Sequence, residues 1–367
     1  MKVINIFKIW LHNNRFYKYS EGFAAEEKEY SEIKKLPALT EEEISLIKER
    51  WNGVKVSFED GLSGFAAYKY NVSFSSEYIP MCYFYPWIVR VLNPIDASRI
   101  FSNKGMTYVY FKNVKQPQLI VRRLNGTYLN ETGDMISREE AVSVIASCKK
   151  ECLFKLSYGS CCGKSIQKLP PSADRHLIDN TIDSYHGDFV VQACLTQSPI
   201  TAEFNPTSLN TFRISTLLLN GKFSICTAML RFGTPGSVVD NIGAGGACIG
   251  INDDGTLMPY GYKKGGDKIE SWNNVVFKGS MIPNFEKVIN TAKCAHLNIP
   301  QCAFVGWDLA IDENGDVNLI EANIDAPGLF FEQLANARPA FRDRFDEVIN
   351  YLKELPLSLS PMNDVAS

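Results

Sequence analysis

No stretch of this sequence is apolar over the roughly 18 to 20 residues that span a bilayer, and it holds neither an internal repeat nor a low-complexity tract. Histidine is scarce, with 4 residues scattered widely. Cysteine is not scarce, but its 10 residues include no CxxC pair. The nearest neighbours are Cys148 with Cys152 and the adjacent Cys161 and Cys162. That spacing excludes a structural zinc framework and reads as reduced thiols in a cytoplasmic protein. A basic excess is missing too: 38 Lys and Arg stand against 41 Asp and Glu, for a net charge of -3. Bulk nucleic-acid binding is thereby excluded, while a local basic groove for phosphates is not.

The opening MKVINIFKIWLHNNRF has the outline of a signal peptide, but Lys8 interrupts its apolar stretch and no small-residue cleavage site follows. It reads as an amphipathic element packed on the body. Its rival is a peripheral membrane contact through Phe7, Trp10 and Leu11 with Lys2 and Lys8.

The 367 residues suffice for two or three lobes around more than one core. Thr40-Glu41-Glu42-Glu43 is a capping box and predicts a helix to about Trp51. Residues 52–96 read as aromatic-rich and irregular. Tyr68, Tyr70, Tyr78, Tyr83, Tyr85 and Trp87 crowd one stretch, as core packing or as an aromatic substrate platform. Asn125-Gly126 between Gln118–Arg123 and Thr127–Leu129 predicts a hairpin. A second capping box, Ser137-Arg138-Glu139-Glu140, opens a helix through roughly Lys149. An apolar strand, Cys152–Leu156, runs into the small-residue loop Ser157–Gly163. After a helical connection, strands are predicted at Asp188–Gln192, Asn210–Leu219, Lys222–Arg231, Val305–Ile311 and Val317–Ala322. Helices are predicted at Ile282–His296 and Pro339–Leu355. Loop 252–280 is left as a possible substrate surface. The mixture is α+β with antiparallel hairpins, not an alternating series of parallel strands.

Three segments carry chemistry. The first is Lys155 near a strand end, followed by the loop through Gly159, Ser160 and Gly163 to Lys164. A cation and free backbone N–H groups at such a place suit phosphates, and a plain strand-to-loop turn is the alternative. A Walker loop fails here: three residues, not four, precede Gly163-Lys164, and Pro170-Pro171 blocks the helix that should follow. The second is the hairpin Val305–Ala322 closed at Asn314-Gly315. Glu321 and Asn323 share a face, with Asp308 roughly opposite Ile320–Glu321. Two carboxylates and an amide oxygen suit a hard cation such as magnesium; an acidic edge facing solvent is the alternative. The third is Arg213, with Arg231 on the next strand and Asp240-Asn241 beyond it. Buried arginines need anionic partners, either a bound phosphate or carboxylate, or acidic side chains of the protein.

In this order the elements resemble the ATP-grasp superfamily. Ile320-Glu321-Ala322-Asn323 with Pro327-Gly328-Leu329 is similar to the magnesium motif of the glutamate ligases that modify a ribosomal protein. Asn205-Pro206-Thr207-Ser208-Leu209-Asn210-Thr211-Phe212-Arg213 and Val305-Gly306-Trp307-Asp308 resemble the sugar-transfer-associated ATP-grasp family. So do Tyr78-Ile79-Pro80, Leu92-Asn93 and Asn103-Lys104 upstream. The resemblance spans roughly residues 50–340. It implies an α+β ATP-grasp fold, two α+β lobes gripping ATP behind an N-terminal helical or irregular extension. The expected divisions are 1–96 for that extension, 97–189 for the N-lobe and 190–367 for the C-lobe.

The resemblance also implies roles. Lys104 and Lys155 would meet the nucleotide phosphates, and Gly159, Ser160 and Gly163 would close over them. Gln192, Ala193 and Cys194 would lie beside the adenine, partly through backbone groups. Asp308, Glu321 and Asn323 would hold Mg2+. Arg213, Arg231 and Asn241 would stabilise the transferring phosphoryl group. Leu156 stands where the family usually has proline, and Asn103 where it often has aspartate; neither change removes a charge that the chemistry needs. The implied activity is ADP-forming carboxylate-amine ligation through an acyl phosphate, with ATP and magnesium. The implied substrates are a uronic acid or other glycan carboxylate and an amine, in surface polysaccharide biosynthesis. A phosphotransferase, or a non-catalytic nucleotide- or glycan-binding module, is the alternative on the same scaffold.

Overall fold

The computed structural model describes residues 21–54, 56, 58–158, 166–237 and 240–354. The proposed N-terminal amphipathic element or membrane contact lies outside the described residues. So does the loop with Gly159, Ser160, Cys161, Cys162 and Gly163.

Two antiparallel sheets organise the chain. The first comprises β1 (Leu119–Leu124), β2 (Thr127–Leu129), β3 (Met135–Ile136), β4 (Cys152–Leu156), β5 (Gln167–Leu169) and β6 (Phe189–Ala193), in the order β3-β2-β1-β6-β4-β5. Its first hairpin closes where Asn125 and Gly126 both take positive φ, 48° and 77°, matching the twist of a two-residue turn. The helices Arg138–Ala146 and Arg175–Ser184 cover one face through Ala141, Val142, Ile145, Ile178 and Ile182. The Ser137 capping box is present, though its helix ends at Ala146 rather than near Lys149. Strand β6 lies between β1 and β4. Every residue of β6 is paired within this sheet or buried in it.

The second sheet comprises β7 (Thr211–Leu219), β8 (Lys222–Phe232), β9 (Ala247–Ile251), β10 (Leu257–Lys263), β11 (Lys268–Ile269), β14 (Phe304–Ile311) and β15 (Val317–Asn323), ordered β11-β10-β9-β8-β7-β14-β15. A small ribbon, β12 (Ser271–Trp272) with β13 (Val275–Val276), stands apart. The amphipathic helix Phe285–His296 packs on one face, burying Phe285, Val288, Ala292 and Ala295. The short helix Phe330–Asn336 packs on the other face. Its approach is so close that a Cβ at Gly250 would collide with the carbonyl of Ala335. The stretch 252–280, expected as loop, thus contains strands, and β9, interrupted by Gly250, was not foreseen.

The helix expected from the Thr40 capping box runs Glu41–Arg50, while residues 52–96, expected to be irregular, are largely helical, with Phe58–Asn71 and a run from Met81 to Leu92. That run is widened to π geometry over Phe84–Ile88, where Val89 N–H reaches back to Phe84. Pro86 offers no N–H to the usual ladder, which accounts for the widening. Tyr68, Tyr78 and Tyr83 are core residues, Tyr68 and Tyr78 stacking at 4.4 Å; Tyr70 is half-exposed. Burial of these rings against Phe304, Phe341 and Phe345 seats the helical region on the second sheet.

Helix 21–34 contributes Glu27, which is buried at 2% exposure. One oxygen accepts the Met81 N–H at 2.7 Å, and the other has no partner. Burial pushes this carboxyl up to about 7, against the opposing hydrogen bonds from Met81 and Cys82. The folded chain therefore holds the proton more tightly than the unfolded chain. Its stabilising contribution is complete below pH 4.5 and is lost as pH rises through 7. Glu27→Gln is expected to stabilise the protein by about 3 kcal/mol at pH 8 relative to pH 4. Urea unfolding across that range checks it; an unchanged pH slope in the variant would refute the assignment.

Candidate active site

The second hairpin sets the register on which the site depends. Asp308 on β14 lies opposite Glu321 on β15 and opposite Arg213 on β7, while Gly306 lies opposite Asn323. Facing residues of an antiparallel pair share a side of the sheet, so these side chains project together. A bulge follows Asp308. The turn that closes the hairpin is held by Asp312, whose carboxylate accepts from the N–H groups of Asn314 and Asp316 and from Asn318 and Lys115. Those acids of the turn are structural.

Arg213 is 7% exposed, and its guanidinium is committed within the protein. Nε and Nη2 form a fork on Asp308 at 2.6 and 3.2 Å. Nη1 donates to the carbonyl of Pro327 at 2.9 Å and to Glu332 at 3.2 Å. Arg231 approaches the same Asp308 at 3.0 Å, donates to Thr211 Oγ1 at 2.7 Å, and lies 3.5 Å from Asp240. Thr211 in turn donates to Asp240. The arginine pair is thus satisfied by acidic side chains, the second of the two outcomes left open by the sequence. Burial alone would raise the Asp308 carboxyl, but Arg213 and Arg231 outweigh it and hold the group at about 2. Glu332 and Asp240, by contrast, are raised by burial.

Across the cleft, Lys155 on β4 lies opposite Val190 on β6. Burial lowers its ammonium, and among the described residues it has no ion-pair partner; Glu321, Lys104 and Asp308 are near enough to perturb it. The turn Lys104–Met106 is fastened to the end of β4 by Lys104 N–H donating to Ser157 at 2.7 Å. Lys104 Nζ meets Glu321 Oε1 at 2.9 Å. One ion pair therefore spans from the first sheet's turn to the second sheet's hairpin.

The structure thus brings together Lys104, Lys155, Arg213, Arg231, Asp308, Glu321 and Asn323. Asn241 follows Asp240, and its side chain caps the turn Ile242–Ala244 by accepting from Gly243 at 2.8 Å. Gln192, Ala193 and Cys194 end β6, where Ala193 and Cys194 donate their N–H groups to Gln118 and Glu151. Any backbone contribution to an adenine there falls to carbonyls, since those donors are spent. Sequence reasoning left Thr211, Asp240 and Glu332 unassigned. Asp240 was visible beside Asn241. Glu332 was not, because it depends on Gly328, whose φ of 84° and lack of a side chain leave the space that the Glu332 carboxylate fills.

The donors suit a magnesium nucleotide. Asp308 is held ionised, Glu321 is a half-buried carboxylate and Asn323 adds an amide oxygen. Among the described residues no three His, Cys, Asp or Glu side chains form an ion cage by themselves. A cation here would take its remaining ligands from phosphate and water, the usual habit of magnesium. Lys155, a buried cation without a carboxylate, suits the phosphates themselves.

A lysine-bearing first sheet facing an acid-amide hairpin on a second antiparallel sheet defines the ATP-grasp class. The chain belongs to the family described as sugar-transfer associated ATP-grasp, whose pattern matches residues 162–348. Solved structures of similar shape include D-alanyl-alanine synthetase A from Vibrio cholerae, at 12% identity and TM-score 0.42, covering 70% of this chain and 66% of that one. The VanG D-Ala:D-Ser ligase of Enterococcus faecalis matches at 11% identity and TM-score 0.44, covering 70% and 62%. The ATP-grasp ligase PsnB, solved with its minimal precursor, Mg and ADP, matches at 14% and 0.41, covering 71% and 62%. This chain spans 66% and 62% of the length of the first two. No curated protein matched the sequence.

Asp308→Asn is expected to destabilise the fold by about 3 to 5 kcal/mol, because it leaves buried guanidinium groups short of an anion. Adding Arg213→Met should recover part of that loss, and a double-mutant cycle in urea measures the coupling. Additive losses would show that the fork does not join the two strands energetically.

Proposed function

We propose that this protein is an ADP-forming carboxylate-amine ligase that uses ATP and magnesium, with a glycan carboxylate, such as a uronic acid, as one substrate. The observation that carries the reading is the approach of Lys104 and Lys155 to the hairpin of Asp308, Glu321 and Asn323, with Lys104 in contact with Glu321 at 2.9 Å. The family's sugar-transfer association supports the glycan and a place in cytoplasmic polysaccharide biosynthesis. Among the described residues no helix is long and apolar enough to cross a membrane.

Phosphoryl transfer needs positioned reactants and compensated charge rather than a protein nucleophile. Among the described histidines, His296 is buried away from this site between Thr216 and Cys302, and burial lowers it to about 4, while His176 and His186 are exposed. Lys104 and Lys155 would bind the phosphates, with the loop through Gly159, Ser160 and Gly163 closing over them. Gln192, Ala193 and Cys194 would border the adenine. Asp308, Glu321 and Asn323 would hold the magnesium, which supplies neutralisation of charge on the phosphates when bound. Arg213 would contribute by orienting Asp308 and by its charge, while Arg231 and Asn241 would stabilise the transferring group. The substrate carboxylate oxygen attacks the γ-phosphorus and ADP leaves. An amine then attacks the acyl carbon and displaces phosphate, giving an amide.

Hydroxylamine separates the possible outcomes. With ATP, magnesium and a panel of uronic acids, a ligase yields hydroxamate together with ADP. A kinase yields a phosphate ester and no hydroxamate, and a binding module releases no ADP above background; either result would overturn the ligase reading. Glu321→Gln and Lys155→Met are each expected to lower ADP formation by about 100-fold or more.

A further inference from the structure

Three arginines are buried among the described residues: Arg122, Arg213 and Arg344. Arg213 pairs with Asp308 and Glu332, and Arg344 with Glu347 at 2.9 Å. Arg122, at 8% exposure, has no carboxylate of a described residue within ion-pair distance. Its hydrogen bond is from Nη1 to the carbonyl of Gly105 at 3.0 Å, and its Nε is buried with no partner. A guanidinium withdrawn from water without an anion is costly, and burial accordingly lowers the tendency of this group to stay charged. Such a residue is expected where an anion arrives later.

Its position says which anion. Arg122 on β1 lies opposite Val190 on β6, and Val190 lies opposite Lys155 on β4. The three side chains therefore share one face and one level of the sheet, with Arg122 about 10 Å across from Lys155 at two strand spacings. That face is the one from which Lys155 feels Glu321 and Asp308. The turn Lys104–Met106 crosses it, tied at one end to Ser157 and at the other, through Gly105, to Arg122. A side chain at Gly105 would collide with Leu124 and Ser157, so the turn lies flat between the two anchors. The guanidinium sits directly behind the backbone that carries Lys104.

We propose that Arg122 is a third cation of the nucleotide site: it fixes the Lys104 turn through Gly105 and its unbalanced charge serves the polyphosphate. The assignment rests on the nucleotide reading above and adds to it a residue outside the family match. Adenosine lacks the phosphates that this charge serves, so the effect must grow with phosphate number.

Titration calorimetry of the full chain with magnesium and ADP, AMP or adenosine tests it without turnover. Arg122→Gln should weaken ADP binding about tenfold or more, as for a hydrogen bond to a charged group, weaken AMP less, and leave adenosine within about twofold. It should also flatten the salt dependence of ADP affinity. Arg122→Lys, which keeps the charge but loses the guanidinium, should fall between, and decides the matter by the same pattern if the glutamine variant does not fold. Unchanged ADP affinity, or an equal loss for ADP and adenosine, overturns the assignment while leaving nucleotide binding intact. Failure of the unsubstituted chain to bind ADP or ATP overturns the nucleotide reading, and Arg122's role with it.

Discussion

The sharing of Asp308 between Arg213 and Arg231 is the constraint around which the cleft is built. Three strands meet at that carboxylate: β14 carries it, β7 carries the fork, and β8 carries the second guanidinium. Because each guanidinium is rigid and planar, the arrangement sets the orientation of the acid as well as its ionisation. Nη1 of Arg213 also holds the carbonyl of Pro327, so the segment leaving β15 is drawn back over the sheet. Gly306 permits this, since a Cβ there would strike the same Pro327 carbonyl. The polar centre and the course of the chain above it are therefore one structure.

The two sheets meet this centre differently. The second sheet supplies acids on rigid strands with apolar residues on the reverse face, where Phe212, Ile214, Trp307 and Leu309 enter the main core. The first sheet supplies cations, one on a strand and one on a short turn. The linker after β6 is tied to the hairpin tip, with Glu313 N–H donating to Thr196 and Ser198 N–H to Ile311. Both sheets are thereby referred to the same β14–β15 hairpin.

Much of this was legible in the sequence for a physical reason. Alternation along Val317–Asn323 and a tight Asn314-Gly315 turn fix a register, and register fixes which side chains meet. Thus Asp308 opposite Glu321 followed from local pattern. Capping boxes at Thr40 and Ser137 gave helix starts for the same local reason. What escaped were features decided by distant parts of the chain. Strand β9 carries Gly250 where a distant helix, at Ala335, presses on it. The helices between Phe58 and Leu92 take their stability from rings buried against the second sheet, which no short window reveals. Arg122, inside the expected strand Gln118–Arg123, drew no reading of its own, and its setting appears only when β6 is placed between β1 and β4. The charges meant for one another were easier to find than the charge left alone.

The ion pair between Lys104 and Glu321 has a consequence for how the cleft fills. On the proposed reading each partner holds the place that a bound component would take: the ammonium stands before the acid as a magnesium ion would, and the carboxylate stands before the lysine as a phosphate would. Entry of a magnesium nucleotide is then an exchange of partners, close to electroneutral at this point. Either component arriving by itself would break the contact without completing the exchange. On the proposed reading the two should bind as a unit, with the lysine–glutamate contact acting as the clasp that makes half-loading unfavourable.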